Sequence, residues 1–273
     1  MDQTDAIIPD RALAETLRAT AHALADLARP ETLAHFRVAV EAENKLAGGF
    51  DPVTVADRAA EAAMRAHLEI ARPDDAILGE EFGPKAGTSG LTWVLDPIDG
   101  TRGYISGTPT WGVLISVANS DGPLFGIIDQ PFIGERFVGG FGLAETTGPM
   151  GNRPLRTRAP RPLAEAQLLS TFPEVGTEAE GRAFHAVSKQ ARLTRYGMDC
   201  YGYALLAAGQ VDLVIEAGLQ AYDLQAPIAV VAAAGGIVTD WHGGPAHNGG
   251  RALAAANPQI HAEALAILSK FVD

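Results

Sequence analysis

The feature that most constrains this sequence is a nine-residue stretch, residues 93–101, which reads Trp-Val-Leu-Asp-Pro-Ile-Asp-Gly-Thr. Its apolar start is typical of the end of a buried strand, and Asp96 and Asp99 follow where that strand stops. Pro97 removes a donor from the strand ladder and fixes the turn. Gly100 allows a close backbone approach, and Thr101 can open a short helix with free N–H groups. This pattern suits divalent cations beside a phosphate, although an ordinary Asp-Pro turn contains the same residues.

The composition predicts a globular protein with a substantial core, since 47% of its 273 residues are hydrophobic and 20% are charged. No apolar run reaches the roughly 18 residues that a membrane span needs, and no secretory signal is visible, so we expect a cytoplasmic protein without a membrane partner. The single cysteine excludes an internal disulfide and a cysteine-based zinc site. The motifs of P-loop enzymes, serine hydrolases and H-E-x-x-H metalloproteases are missing.

The net charge of −12 argues against a nucleic-acid partner, which would need a basic face. It should also repel a phosphorylated substrate, unless bound cations reverse the local charge. Four acidic residues at predicted strand ends or helix starts could hold such cations: Glu80, Asp96, Asp99 and Asp223. Oxygen ligands of this kind suit Mg²⁺, and two ions about 3.5–4 Å apart could clamp the oxygens of a phosphoryl displacement. Thr101, backed by Asp51, could orient a water and take its proton.

The order of predicted elements divides one compact domain into two halves. Residues 1–148 combine helices with meandering antiparallel strands and carry the metal site. Residues 149–273 alternate strand and helix, as in an α/β unit, and carry the specificity residues. A segment rich in Pro and Arg, residues 149–162, is predicted to be the seam between the halves. Local signals also predict that Pro30 ends the first helix and that Asp57 caps the next one.

Four motifs, in this order, make the sequence resemble the inositol monophosphatase family of metal-dependent phosphatases. They are Asp51-Pro52-Val53-Thr54-x-x-Asp57, Gly79-Glu80-Glu81, Asp96-Pro97-Ile98-Asp99-Gly100-Thr101, and Tyr222-Asp223 followed by Gly235-Gly236-x-x-Thr239-Asp240. The resemblance implies an α/β (α+β) fold, the layered α-β-α-β-α sandwich of the inositol monophosphatase and fructose-1,6-bisphosphatase type. It also implies a homodimer and Mg²⁺ as cofactor, with two or three ions per site. Tyr222 replaces the tryptophan usual in the family, but the ligand Asp223 is kept.

Carried over residue by residue, the resemblance implies a complete catalytic site. The implied metal ligands are the side chains of Glu80, Asp96, Asp99 and Asp223 and the backbone carbonyl of Ile98. Phosphate contacts are implied for Gly100 and Thr101. The implied catalytic residues are Asp51, Thr101 and Glu80, with Asp51 and Thr101 forming the pair that activates a water.

Within the family, residues 101–112 and 195–203 resemble the histidinol-phosphatase branch. Asp199 lies where inositol phosphatases typically carry Ser or Thr. A carboxylate there would pair with the ammonium group or imidazole of histidinol phosphate better than with a neutral polyol. Asp199 could equally cap the helix that follows. Glu216, at the end of the next predicted strand, is a second candidate acceptor, and Arg195 is a further candidate for substrate binding.

The sequence therefore predicts a Mg²⁺-dependent phosphomonoesterase that hydrolyses L-histidinol phosphate in histidine biosynthesis. Its partner would be this small phosphorylated metabolite. One alternative is a phosphatase of inositol 1-phosphate or of a broader range of sugar phosphates. An alternative of another class is a catalytically silent regulatory or binding protein with the same fold. That alternative predicts a lost metal ligand, and the motifs retain all of them.

Overall fold

The structure is a computed structural model that describes residues 9–37, 43–44, 52–53, 55–172 and 174–271, with only the backbone described at 43–44 and 52–53. Its helices are α1 (Arg11–His35), α2 (Val55–Ala71), α3 (Thr101–Ile105), α4 (Glu178–Ser188), α5 (Tyr201–Ala207), α6 (Ala221–Ala233) and α7 (Pro258–Leu268), with a 3₁₀ turn at Leu163–Glu165. Among these helices none has the length and apolar character that crossing a membrane requires.

The first of two large sheets has eight strands. They are β3 (Ala76–Gly79), β4 (Gly83–Lys85), β5 (Thr92–Asp99), β6 (Gly112–Asn119), β7 (Gly122–Gln130), β8 (Glu135–Gly140), β9 (Leu143–Thr147) and β10 (Arg153–Pro154), in the order β10-β9-β8-β7-β6-β5-β3-β4. Neighbouring strands are antiparallel, except that β3 runs parallel to β5. A separate two-stranded ladder joins β1 (Glu43–Asn44) and β2 (Pro52–Val53).

The second large sheet has five strands. They are β11 (Gln167–Ser170), β12 (Leu193–Tyr196), β13 (Leu213–Gln220), β14 (Ile237–Thr239) and β15 (Gly249–Ala255), in the order β12-β11-β13-β15-β14. β11 is parallel to both β12 and β13, whereas β15 is antiparallel to β13 and β14.

The helices form three layers around the two sheets. α1 and α2 pack on the outer face of the eight-stranded sheet, where Leu17, Leu24 and Met64 are fully buried. α5 and α6 lie between the sheets and contact both. α4 and α7 cover the outer face of the five-stranded sheet. Each layer buries an apolar face against its neighbour, and the resulting α-β-α-β-α order confirms the predicted fold class.

The prediction that Pro30 ends the first helix is wrong, because α1 continues through it to His35. A proline inside a helix removes a hydrogen bond and costs about 3 kcal/mol. Contacts beyond Pro30 offset this cost. Thr32 is fully buried, and its backbone carbonyl accepts a hydrogen bond from the Tyr104 hydroxyl at 2.7 Å. Tertiary packing of the last turn therefore outweighs the local signal.

Three further local predictions need correction. Asp57 does not cap α2, because that helix begins at Val55 and leaves Asp57 buried in its first turn. The predicted loop at 195–199 begins within β12, which pairs with β11. The predicted strand ending at Glu216 continues to Gln220, with a break in register after Glu216. In each case pairing or packing with a distant segment sets the boundary.

Candidate metal and substrate site

A cavity of about 270 Å³ lies where the two sheets and the starts of α3, α5 and α6 meet. Its walls differ in chemistry. Four carboxylates line it, those of Asp99, Asp199, Glu216 and Asp223. Its apolar wall consists of Phe172, Val175 and Leu219, and the guanidinium of Arg102, which also lines the cavity, lies over the Phe172 ring at 4.8 Å. The cavity therefore offers charged and apolar groups to the same ligand.

Three carboxylates converge beside the cavity, where one oxygen each of Asp96, Asp99 and Asp223 lies within 4.8 Å of the others. Residues three apart on a regular strand face opposite sides of the sheet. The pairing of β5 with β6 shifts register between Asp96 and Asp99, however, around Pro97, which cannot donate to the ladder. This irregularity lets both aspartates serve one site, and Asp223 joins them from the first turn of α6.

A backbone N–H orients each of the three carboxylates. Asp96 Oδ1 accepts the N–H of Ile98 at 3.1 Å, and Asp99 Oδ2 accepts the N–H of Cys200 at 2.6 Å. Asp223 Oδ2 accepts the N–H of Gln220 at 2.7 Å, within a capping box at the start of α6. The backbone of three separate segments therefore fixes the acidic cluster in place.

The electrostatics of this cluster favour a bound cation. Burial, followed by the charges of Glu80 and Asp99, raises the pKa of Asp96 well above its ordinary value. Burial and then the charges of Asp223 and Asp199 do the same to the pKa of Asp99. Buried carboxylates this close repel one another unless a positive charge lies between them. An oxygen-only donor set is what a hard divalent cation such as Mg²⁺ takes, so these residues fit a metal site.

Glu80 lies in the turn after β3, and its charge acts on Asp96. Its N–H donates to the carbonyl of Leu95 at 3.2 Å, which places it beside the end of β5. A buried carboxylate from α2, that of Glu61, accepts the next two N–H groups of the turn, from Glu81 at 2.7 Å and from Phe82 at 3.3 Å. Glu61 thus holds the turn that carries Glu80.

The chain after Asp99 turns sharply into α3. Gly100 has a φ of +86°, a conformation that favours glycine. A Cβ on Gly100 would also lie only 2.6 Å from Cγ of Asp199. The Thr101 hydroxyl donates to the Ile98 carbonyl at 3.1 Å. Gly100 and Thr101 both line the cavity beside the acidic cluster.

Comparison with known proteins identifies the family. The model of the inositol monophosphatase family matches residues 13–272. The chain belongs to the inositol monophosphatase family. A solved structure of an inositol monophosphatase from Zymomonas mobilis superposes with a TM-score of 0.82 at 37% identity, and the match covers 96% of this chain and 100% of that one. The resemblance found in the sequence is confirmed.

Two curated relatives extend the comparison within the inositol monophosphatase family. The histidinol-phosphatase of Streptomyces coelicolor is 35% identical, and the match covers 92% of this chain and 96% of that protein. The chloroplastic bifunctional phosphatase IMPL2 of Arabidopsis thaliana is 40% identical over 82% of this chain, but the match covers only 64% of that protein. These relatives and the acidic cluster make the chain a metal-dependent phosphatase that acts on small phosphorylated substrates, which confirms the predicted enzyme class.

In this member of the inositol monophosphatase family, Asp199 lies directly above the turn at Gly100 and lines the cavity. The Thr110 hydroxyl donates to its Oδ2 at 2.7 Å. Burial raises the pKa of Asp199, and the Thr110 hydrogen bond partly opposes that shift. The reading of Asp199 as a helix cap is wrong, because Cys200 occupies the N-cap of α5.

Glu216 lies at the irregularity in β13 and also lines the cavity. Its Oε1 accepts both the N–H and the hydroxyl of Thr171, and its Oε2 accepts the hydroxyl of Tyr203 at 2.8 Å. Burial raises the pKa of Glu216, although these hydrogen bonds oppose the shift. The carboxylate is therefore held firmly and remains next to the cavity.

Two predicted site residues are placed neither at this cavity nor at the acidic cluster beside it by the described part of the chain. Asp51 lies outside the described residues. Arg195 lies exposed on β12, the edge strand of the five-stranded sheet, and lines a separate apolar pocket with Leu193 and Met198. The structure therefore separates Arg195 from the acidic cluster.

Three further residues have roles at the site that the sequence did not predict. Glu61 supports the turn of Glu80, Thr110 binds Asp199, and Phe172 forms part of the apolar wall. The signal for Glu61 was a buried helix position with Arg65 four residues later. Thr110 lies within the stretch 101–112 that resembles the histidinol-phosphatase branch, but its contact with Asp199 joins segments far apart in sequence. No local pattern marks Phe172.

Proposed function

We propose that this phosphatase hydrolyses L-histidinol phosphate to L-histidinol and phosphate, a step of histidine biosynthesis. One observation carries the proposal: the cavity holds two further carboxylates, Asp199 and Glu216, beside the acidic cluster. Carboxylates beyond those needed for metal ions favour a substrate whose alcohol part is cationic. The histidinol-phosphatases among the relatives, such as that of Streptomyces coelicolor, support this choice.

We assign the metal to Mg²⁺, with two or three ions per site. The proposed ligands are the side chains of Glu80, Asp96, Asp99 and Asp223 and the carbonyl of Ile98. When bound, such ions neutralise phosphate charge and acidify water. The chain's own residues do the rest: Gly100 leaves room for the phosphate, Thr101 orients the attacking water, and Asp51 accepts its proton.

The alcohol part of the substrate is proposed to lie along the remaining walls. Thr110 occupies Oδ2 of Asp199, which leaves Oδ1 for the ammonium group. The imidazole ring would then pack against the apolar wall of Phe172, Val175 and Leu219. A polyol such as inositol would find fewer hydrogen-bonding partners on that wall, and burying its hydroxyls unpaired would cost affinity.

The test is phosphate release by the purified protein with Mg²⁺, comparing L-histidinol phosphate with myo-inositol 1-phosphate at equal concentrations. We expect a higher kcat/KM for histidinol phosphate. The variant Asp199→Ser should raise the KM for histidinol phosphate about tenfold or more, the effect of losing a charge-assisted hydrogen bond. The KM for inositol 1-phosphate should stay near the wild-type value. A higher kcat/KM for inositol 1-phosphate, or equal effects of the variant on both substrates, would refute the proposed substrate.

The second candidate is a phosphatase of inositol 1-phosphate or of sugar phosphates more broadly. The similarity to the Zymomonas mobilis inositol monophosphatase favours it, as does the polar group of Glu216, Thr171 and Tyr203, which could pair with substrate hydroxyls. The same assay decides between the two candidates.

We further propose that the chain is cytoplasmic, in keeping with its single cysteine, which is buried and free. We also propose that it forms a homodimer, as the family resemblance implies. Light scattering coupled to gel filtration should give twice the chain mass. A mass equal to that of one chain would refute the dimer.

A further inference from the structure

Asp199 has an unusual backbone and a crowded side chain. Its φ of +47° lies in the left-handed region, which few non-glycine residues adopt. Its carboxylate rests on two glycines: a Cβ on Gly100 would lie 2.6 Å from its Cγ, and a Cβ on Gly103 would lie 3.0 Å from its Oδ2. The backbone conformation and the contacts with the two glycines therefore fix the position of the carboxylate. They do not fix the rotation of its plane about the terminal side-chain torsion.

The rotation is set by a residue in a loop. Thr110, in the segment between α3 and β6, donates its hydroxyl to Asp199 Oδ2 at 2.7 Å. The torsion that turns a carboxylate has broad and shallow minima, so a single strong hydrogen bond fixes the orientation of the carboxylate plane relative to the cavity. Across the described parts of the chain, this is the one side-chain hydrogen bond that the Asp199 carboxylate receives.

The second carboxylate of the cavity is held differently. Glu216 accepts three hydrogen bonds, two from Thr171 and one from Tyr203. Losing any one of them leaves two others that orient the group. The orientation of Asp199 depends instead on one hydroxyl, so a substitution at Thr110 should act on Asp199 selectively.

We infer that Thr110 is a positioning residue, which turns the Asp199 carboxylate toward the cationic part of the substrate and so contributes to selectivity. This inference rests on the proposed function, in which Asp199 binds that cation. Thr110 itself need not touch the substrate. Its loss should weaken binding of a cationic substrate and leave the chemical step intact.

The variant Thr110→Val keeps the shape of the side chain and removes the donor. We expect it to raise the KM for L-histidinol phosphate about threefold to tenfold, as the loss of one hydrogen bond to a charged group implies. The value of kcat, and the KM for myo-inositol 1-phosphate, should stay within about twofold of the wild-type values, since the inferred contact concerns only the cation. Thr110→Ser, which restores the hydroxyl, should recover the wild-type KM.

Thr108 provides a matched control. It lies two residues away in the same segment, but its hydroxyl donates to the carbonyl of Gly103 at 3.0 Å and not to Asp199. Thr108→Val should therefore leave the ratio of the two KM values unchanged. If Thr110→Val does not yield folded protein, as judged by circular dichroism and thermal unfolding, Thr110→Ala and Thr110→Ser provide the same comparison.

A double-mutant cycle separates positioning from a general structural role. If Thr110 acts through Asp199, Thr110→Val should change nothing further in the Asp199→Ser background. An additive effect there, or equal losses for both substrates in the single variant, would overturn the inference. A wild-type preference for histidinol phosphate that stays undiminished in Thr110→Val would overturn this inference alone. A wild-type enzyme without that preference would refute the proposed function and the inference together.

Discussion

Glu61 gives the sharpest prediction about how the fold supports the site. Its carboxylate is fully buried and accepts the N–H groups of Glu81 and Phe82 and the side chain of Arg65, the last at 2.7 Å. These bonds hold the turn that carries Glu80. Replacing Glu61 by glutamine keeps the volume of the side chain but removes its charge and converts one acceptor into a donor.

The size of the effect follows from these contacts. An amide has one acceptor oxygen where the carboxylate has two, so at least one of the three partly buried donors loses its partner, at a cost of about 1–3 kcal/mol. The remaining bonds fall from charged to neutral strength, which costs about 1 kcal/mol more. A total of about 2–4 kcal/mol should lower the Tm by roughly 4–7 °C in a protein of this size.

Calorimetry and metal-dependent activity together test this reasoning. We expect Glu61→Gln to lower the Tm and also to raise the Mg²⁺ concentration needed for half-maximal activity, because Glu80 is displaced. Glu178 is the matched control, since it too pairs with an arginine four residues later, but on an exposed helix face. Glu178→Gln should change stability by less than about 0.5 kcal/mol. An unchanged Tm in Glu61→Gln would refute the energetic argument, and a lower Tm with unchanged Mg²⁺ dependence would refute the link to Glu80.

Three other predictions follow from named contacts. Asp96→Ala should abolish phosphate release yet raise the Tm in metal-free buffer, since it removes one of several repelling buried carboxylates; retained activity would contradict the proposed metal site. Phe172→Leu should raise the KM for histidinol phosphate about threefold to tenfold by removing aromatic packing, and equal effects on inositol 1-phosphate would contradict this. Burial raises the pKa of Glu180, but hydrogen bonds from the Thr177 N–H and from Arg251 hold it below its ordinary value. The charged form therefore stabilises the fold above about pH 4.3, and this contribution is lost as the pH falls further. Thermal unfolding of Glu180→Gln should accordingly show a deficit at pH 7 that disappears in acid.

The sequence predicted the acidic cluster because its determinants are local. Asp96 and Asp99 follow an apolar strand, and Pro97 between them interrupts the ladder. Asp223 lies in the first turn of the apolar helix α6, where its carboxylate accepts the N–H of Gln220 in a capping box. Each signal lies within a few neighbouring residues, so a reader of the sequence can find all three without knowing how distant segments meet.

The residues that arrange the rest of the site could not be predicted in this way. Thr110 and Asp199 are 89 positions apart, and they meet only because α3 and α5 start at the same end of the two sheets. Pro30 is a strong local stop signal, but α1 continues through it because Thr32, in the next turn, is buried and its backbone carbonyl accepts the Tyr104 hydroxyl. Arg195 shares a motif with Asp199, yet strand pairing of β12 carries it away from the cavity.

The contact between Asp99 and Cys200 connects the metal site with substrate selection. Cys200 donates its N–H to Asp99 at 2.6 Å, while its neighbour Asp199 presents a carboxylate to the cavity. One peptide unit thus orients a proposed metal ligand through its backbone and carries a proposed substrate-binding side chain. Side-chain changes at Asp199 should therefore alter selectivity and leave in place the backbone N–H that holds Asp99. Changes to the backbone there, such as an insertion after Gly197, should damage both selectivity and the metal site, because the N–H that holds Asp99 would move with the carboxylate.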